Sequence, residues 1–281
     1  MGILTIFAKR FIAGETKEDA VKAVRQLNSD GLKTTLDVLG ENVSSEQMAT
    51  DLADSYIDIL HTIEKEKITA NVSVKLTQMG MDISDEFCFE NVSRIIETAK
   101  NLNNFVRIDM EGSDYTQRTL DLVYRWFDKF GNVGTVIQAM LYRSEADIDE
   151  LIRRGITVRL CKGAYKEPES VAFQKMDDVN ANYFKLAKKL LESNDFHSIA
   201  THDNDMLSSV KKFAEENGIN KDHFEFQMLY GINRPAQKQI VDEGYGILIY
   251  VPFGTHWFPY YYRRLRERKE NILFILKHLF G

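Results

Sequence analysis

An α/β fold of alternating strands and helices is what this sequence predicts, on three observations. Eight short apolar runs are spaced along the 281 residues, each followed by a turn and a stretch of helical period. The stretches between them are polar, as surface crossover helices are. No gap between runs leaves room for a separate domain, so residues 1–281 read as one domain. An open doubly wound sheet would show the same periodicity. The count of eight, a leading helix around Lys17 to Leu27 and a long final helix from about Trp257 to Leu279 favour closure. The predicted architecture is therefore a (βα)8 TIM-type barrel with the final helix over the barrel mouth, a fold that runs to about 250 residues.

The strands are expected at Thr34 to Val38, Val72 to Leu76, Phe105 to Met110, Thr135 to Ala139, Thr157 to Cys161, Ser198 to His202, Phe224 to Leu229 and Gly246 to Val251. Between them, Ser44 to Gln47 and Ser84 to Glu86 read as N-terminal caps, since a serine oxygen there accepts from the first free N–H groups of a helix. Gly131, Gly155, Gly218 and Gly244 fall just before strands, where helices end. No repeat, low-complexity tract or linker interrupts this order.

Composition narrows the function. With 44% hydrophobic and 28% charged residues the chain can bury a sizeable core. A formal charge of −6 argues against nucleic acid as a partner, because binding a polyanion calls for a basic excess. Cys88 and Cys161 are too few for a disulfide framework or a cysteine-rich metal site, which fits a reduced, cytoplasmic setting. No apolar run reaches the roughly 18 residues of a spanning helix. The opening residues lack a basic leader, and Ile6 stands where a myristoylation signal needs Ser or Thr.

In a barrel the chemistry lies at the C-terminal ends of the strands. Those ends supply Lys75, Asp109, Glu111, Gln138, Arg159, Lys162, Thr201, His202, Gln227 and Tyr250. Polar strand ends are common singly, but convergence on one face marks a site. Lys75 alternates with apolar neighbours and so points into the barrel, where an ammonium is costly without a partner; Asp109 is the candidate. Two readings stand: an ion pair that fixes the barrel, or a cation offered to an anionic substrate. Arg159 and Lys162 belong to the tight segment Val158 to Tyr165, in which the freedom of Gly163 lets backbone approach a ligand, and two cations beside such a glycine turn suit an anion or phosphate. At Arg263 to Lys269 six of seven residues are charged. This is either a solvated or basic surface patch, or a source of guanidinium forks, Arg263 and Arg264, for a carboxylate, with Glu267 one turn on. There is no G-x-G-x-x-G after a strand, no Walker A loop, no H-E-x-x-H and no G-x-S-x-G, and the histidines lack metal-ligand spacing.

Eight segments in order resemble the successive motifs of the proline dehydrogenase family. They are Val72 to Thr77, Val106 to Glu111, Val136 to Ala139, Val158 to Tyr165, Ala200 to Asp203, Phe224 to Gly231, Tyr250 to Gly254 and Arg263 to Glu267. The resemblance runs from about Arg10 to Leu279. It implies a barrel that holds FAD and oxidises L-proline to 1-pyrroline-5-carboxylate by hydride transfer. By motif, Lys75, Arg263 and Arg264 would bind the proline carboxylate, and Tyr165, Leu229 and Tyr250 would pack on its ring. Asp109 and Arg159 match active-site positions, with Arg159 near the flavin N5. Met110, Gln138, Lys162, Gly163, Ala164, Thr201 and His202 match FAD contacts, as does Glu267.

Relatives of this kind commonly pass electrons to a membrane quinone. The apolar Ile272 to Phe280 stretch, preceded by basic residues, reads either as a core-packing helix or as a peripheral membrane contact. The aldehyde dehydrogenase and DNA-binding regions of bifunctional relatives have no counterpart here, so neither of those activities is expected. Two rivals remain: a barrel lyase or aldolase with a Schiff base on Lys75 or Lys162, and a barrel that only binds amino acids or another protein.

Overall fold

Strand and helix alternate from Lys17 to Phe253 in the computed structural model, which describes residues 11–40 and 43–256. The order is α1 (Lys17–Ser29), β1 (Lys33–Val38), α2 (Glu46–Glu66), β2 (Ala70–Val74), α3 (Asp85–Asn101), β3 (Val106–Ile108), α4 (Ser113–Phe130) and β4 (Val133–Gln138). It continues with α5 (Ser144–Arg154), β5 (Val158–Cys161), α6 (Met176–Leu191), β6 (His197–Ala200), α7 (Asn204–Glu216), β7 (Phe224–Leu229), α8 (Arg234–Asp242) and β8 (Gly246–Phe253). The strands follow sequence order around a closed barrel, β1 through β8, as expected. The predicted final helix from Trp257 lies outside the described residues.

Capping residues set the helix bounds. Ser45 and Ser84 accept from the N–H of Met48 and Phe87, and Thr16 and Asp19 form a reciprocal box that opens α1. Gly131 and Gly155 end α4 and α5 in the left-handed region at φ of 82° and 73°, where a side chain is costly. Strand bounds moved more. β2 ends at Val74, before Lys75, and β6 ends at Ala200, before Thr201 and His202. These polar residues therefore lie in the loops just past the strand ends.

The residues fall into two compact units. One comprises the chain up to Arg107 with Leu229–Arg234 and the stretch from Ile249; the other comprises Ile108–Met228 and Pro235–Leu248. In the first, β1 and β2 pair in parallel, Leu36 beside Val72. The phenol of Tyr56, fully buried on α2, donates to the Ser73 carbonyl (2.8 Å) and accepts from the Val38 N–H (3.1 Å), which joins that helix to both strands. In the second, β4 to β7 pair in parallel, with Arg159 beside Ser198 and Ser198 beside Glu225. Tyr183 on α6 plays the same part there, donating to the Ala200 carbonyl (3.1 Å). Its complete burial, with a minor contribution from nearby Cys161 and Asp203, pushes the phenol pKa well above the usual tyrosine range.

Candidate functional site

Period-two alternation sorts each strand into a helix-facing and an interior row. In β7, Phe224 and Phe226 stack against Tyr245 with ring centroids 5.7 Å away, so Glu225 and Gln227 take the other face. In β1 the interior row holds Thr35 and Asp37, and in β2 Ser73, with Lys75 next; the Thr35 and Ser73 hydroxyls lie 3.1 Å apart.

The cluster of the first unit centres on Lys75. Its ammonium donates to Asp37 Oδ1 (2.7 Å) and to the Tyr250 hydroxyl (3.0 Å), and it lies 5.7 Å from the Tyr250 ring centroid. The Asp37 side chain is fully buried, whereas 15% of the Lys75 side chain is exposed. The cation is thus paired with a fully buried carboxylate, and part of its side chain reaches the surface. Asp37 was not singled out in the sequence; its signal was there, as a polar residue alternating with Thr35 inside an apolar run. Leu229, named as a ring-packing residue, is half-buried at the end of β7, and the next residue, Tyr230, donates its N–H to the Tyr250 carbonyl (2.9 Å).

The second unit holds a buried network around Arg159, which is 6% exposed. Its Nη1 donates to Asp109 Oδ1 (2.9 Å), and its Nε donates to Gln227 Oε1. The Gln227 Nε2 donates in turn to Glu225 Oε1 (2.8 Å), which also accepts from the Ser198 hydroxyl (3.2 Å). Asp109, expected as the Lys75 partner, belongs to this unit, where its cation is Arg159. Met110 is buried beside it in sequence, and Gln138 donates to the Glu111 carbonyl (2.8 Å).

The loop after β5 carries Lys162, Gly163, Ala164 and Tyr165. Lys162 donates to Asp203 Oδ2 (2.6 Å), while Asp203 Oδ1 caps α7 by accepting from the N–H of Asp205 and Met206. Burial opposes ionisation of Asp203, but the Lys162 hydrogen bond and charge, with the two backbone donors, hold its carboxyl below the usual carboxylate range. Gly163 has φ of 111°, where a side chain is strained, and a Cβ there would come within 2.5 Å of Met140 Cγ and push that side chain aside. Thr201 accepts the Asp203 N–H (3.1 Å) and donates its own N–H to the Gln227 carbonyl (3.1 Å); His202 next to it is half-buried.

Tyr165 packs on Met140, Leu141, Ala172 and Val179. Two residues on, Glu167 Oε1 accepts the Ser113 N–H (2.8 Å) and Oε2 accepts the Ser113 hydroxyl, capping α4 from outside its own segment. Farther along, the Leu141–Ala172 bridge and the Phe173 N–H on the Met140 carbonyl (2.9 Å) fasten the same loop. Arg263, Arg264 and Glu267 lie outside the described residues.

Buried, charge-paired polar groups at and just beyond the strand ends of a (βα)8 barrel define this molecule as a barrel of the catalytic kind. A sequence profile of the proline dehydrogenase family matches residues 20–276. Proline dehydrogenase 2 of Bacillus subtilis (strain 168) is 42% identical over 272 residues, covering 97% of this chain and 90% of that protein. The proline dehydrogenase of Deinococcus radiodurans is 38% identical over 275 residues, covering 96% and 89%. Among solved structures, proline utilization A (PutA) of Bdellovibrio bacteriovorus, inactivated by N-propargylglycine, superposes with a TM-score of 0.89 at 28% identity. That match covers 96% of this chain and 34% of that one, so the chain spans about a third of PutA. The chain belongs to the proline dehydrogenase family.

Proposed function

We propose that this protein oxidises L-proline to 1-pyrroline-5-carboxylate with FAD as the electron acceptor. The observation that carries the reading is the Asp109–Arg159–Gln227 network: a guanidinium fixed at two of its nitrogens, in the strand the family resemblance assigns to the flavin edge. The residues suit a flavin dinucleotide. Gly163 holds a conformation that side chains rarely adopt, Lys162 supplies a cation beside the α7 N-terminus for a phosphate, and Gln138, Thr201 and His202 supply hydrogen-bonding groups for the rest. When bound, FAD would supply the two-electron acceptor for a hydride from the ring carbon next to nitrogen.

The chain's own residues then bind and orient. Lys75, held by Asp37 and the Tyr250 hydroxyl, binds the proline carboxylate, the part the resemblance also gives to Arg263 and Arg264. Leu229, Tyr165 and Tyr250 are the ring-packing set. Fixing the carboxylate fixes which ring hydrogen is presented, so the chemistry is accelerated chiefly by positioning. Cations near the amine favour its neutral form, whose lone pair drives hydride loss as the nitrogen proton leaves to water. The same reading gives a cytoplasmic enzyme that passes its electrons on to a quinone or another acceptor.

A visible spectrum of the purified protein tests the reading. Oxidised flavin absorption in the blue, bleached by L-proline without oxygen, is expected. A colourless protein trapped on Lys75 or Lys162 by borohydride with a carbonyl substrate would establish the lyase instead, and a colourless protein without such trapping would leave a binding barrel.

A further inference from the structure

The network around Arg159 extends beyond the groups that the family motif covers for catalysis. We infer that Glu225, acting through Gln227, is a positioning residue that sets the orientation of the Arg159 guanidinium for proline oxidation; this rests on the function proposed above.

Arg159, Ser198 and Glu225 lie side by side across β5, β6 and β7, and alternation puts Gln227 on the same face as Glu225. Glu225 is 5% exposed and Gln227 3%, so water does not substitute for a lost contact. A guanidinium only donates and a carboxylate only accepts. The amide between them satisfies both in one orientation: Oε1 on Arg159 Nε, Nε2 on Glu225 Oε1. Without the Glu225 acceptor, the amide is free to turn its NH2 toward Arg159, donor against donor. The guanidinium would then keep Asp109 but lose the contact that fixes its rotation about that bond. A carboxylate in a strand interior is costly to bury, and a core with no such task would place an apolar residue there. Ser198, donating to the same oxygen, holds the carboxylate itself in place.

The test compares wild type with Glu225→Leu, Glu225→Gln and Gln227→Met. It reads flavin content, kcat and KM for L-proline, the midpoint potential of the bound flavin, and thermal unfolding. Glu225→Leu and Gln227→Met are expected to lower kcat about tenfold, the scale of one charge-assisted hydrogen bond, with KM within about twofold. A displaced guanidinium stabilises reduced flavin less, so their potentials should move negative. Glu225→Gln keeps an acceptor oxygen for Gln227 and should restore both quantities. Folded, flavin-bound Glu225→Leu with wild-type potential and kcat overturns the inference, as does a loss of thermal stability alone. Should Glu225→Leu not fold, wild-type values for Gln227→Met overturn it. Wild type that neither binds flavin nor oxidises proline refutes the function proposed above instead.

Discussion

Lys75 and Arg159 both answer a buried aspartate at a strand end, yet they are held in opposite ways. The ammonium of Lys75 is a point charge on a flexible stem, with Asp37 beneath it, a phenol beside it and part of its side chain open. The guanidinium of Arg159 is clamped at Nε and Nη1 by an amide and a carboxylate and is almost wholly buried. A compact, rotatable cation adapts to a ligand that comes and goes. A planar fork locked at two edges keeps one geometry through every turnover. Under the function proposed above, the difference divides a substrate-holding role from an orienting one, and substitutions in each cluster should separate them.

The largest effect is expected from Arg159→Leu, which should cost about 100- to 1000-fold in kcat by removing a fixed charge where charge develops, measured by steady-state turnover per bound flavin. Lys75→Met should act mainly through KM, raising it at least about tenfold. Because it removes the cation paired with the buried Asp37 carboxylate, it should also destabilise the fold by about 3–5 kcal/mol in urea titration, and Asp37→Leu in the same chain should recover part of that. Equal losses of kcat from both single variants, with KM unmoved, would erase the distinction. Glu167→Ala should cost about 0.5–2 kcal/mol by uncapping α4 and should raise KM through Tyr165, while Glu167→Gln, still an acceptor, should do less.

The smallest effect concerns pH. The folded pKa of Asp203 is lowered, so its ion pair with Lys162 contributes stability that is fully present above the unfolded value of about 3.9 and lost as pH falls through the lower folded value. Asp203 is partly exposed, so the contribution is screened to about 0.5 kcal/mol. The stability gap between wild type and Lys162→Met should therefore be open at pH 7 and shrink toward zero as the pH drops below about 4, followed by urea unfolding.

The strand count and caps were legible because periodicity and helix-end chemistry are local, and closure followed from the count of eight, since periodicity alone fits an open sheet equally well. Gln227 was legible too, as a polar residue ending an apolar strand, and so were Lys75 and Arg159. Partners were harder, since sequence spacing does not say which strands a side chain reaches. Lys75 was matched with Asp109 by order along the chain, while within its unit it takes Asp37, 38 residues earlier. Asp37 and Glu225 share one signature, a polar residue two positions from another inside a run that is otherwise apolar. Glu167 carried no such mark, because a loop glutamate capping a distant helix looks like any surface acid. Lys75, Thr201 and His202 were placed inside strands that end before them, because apolar flanks set the apparent length while the hydrogen-bond ladder sets the real one.

The loop from Lys162 to Lys175 is long and irregular, the kind of segment in which insertions are ordinarily tolerated and proteases cut first. Here Glu167 is fixed to the start of α4, and the stretch from Val171 to Phe173 is laced to Met140, Leu141 and Tyr142. The span between these fastenings cannot shorten much without releasing one of them. Limited digestion should therefore leave this loop intact, and any engineering of ring specificity at Tyr165 should proceed by replacing side chains, not by removing residues.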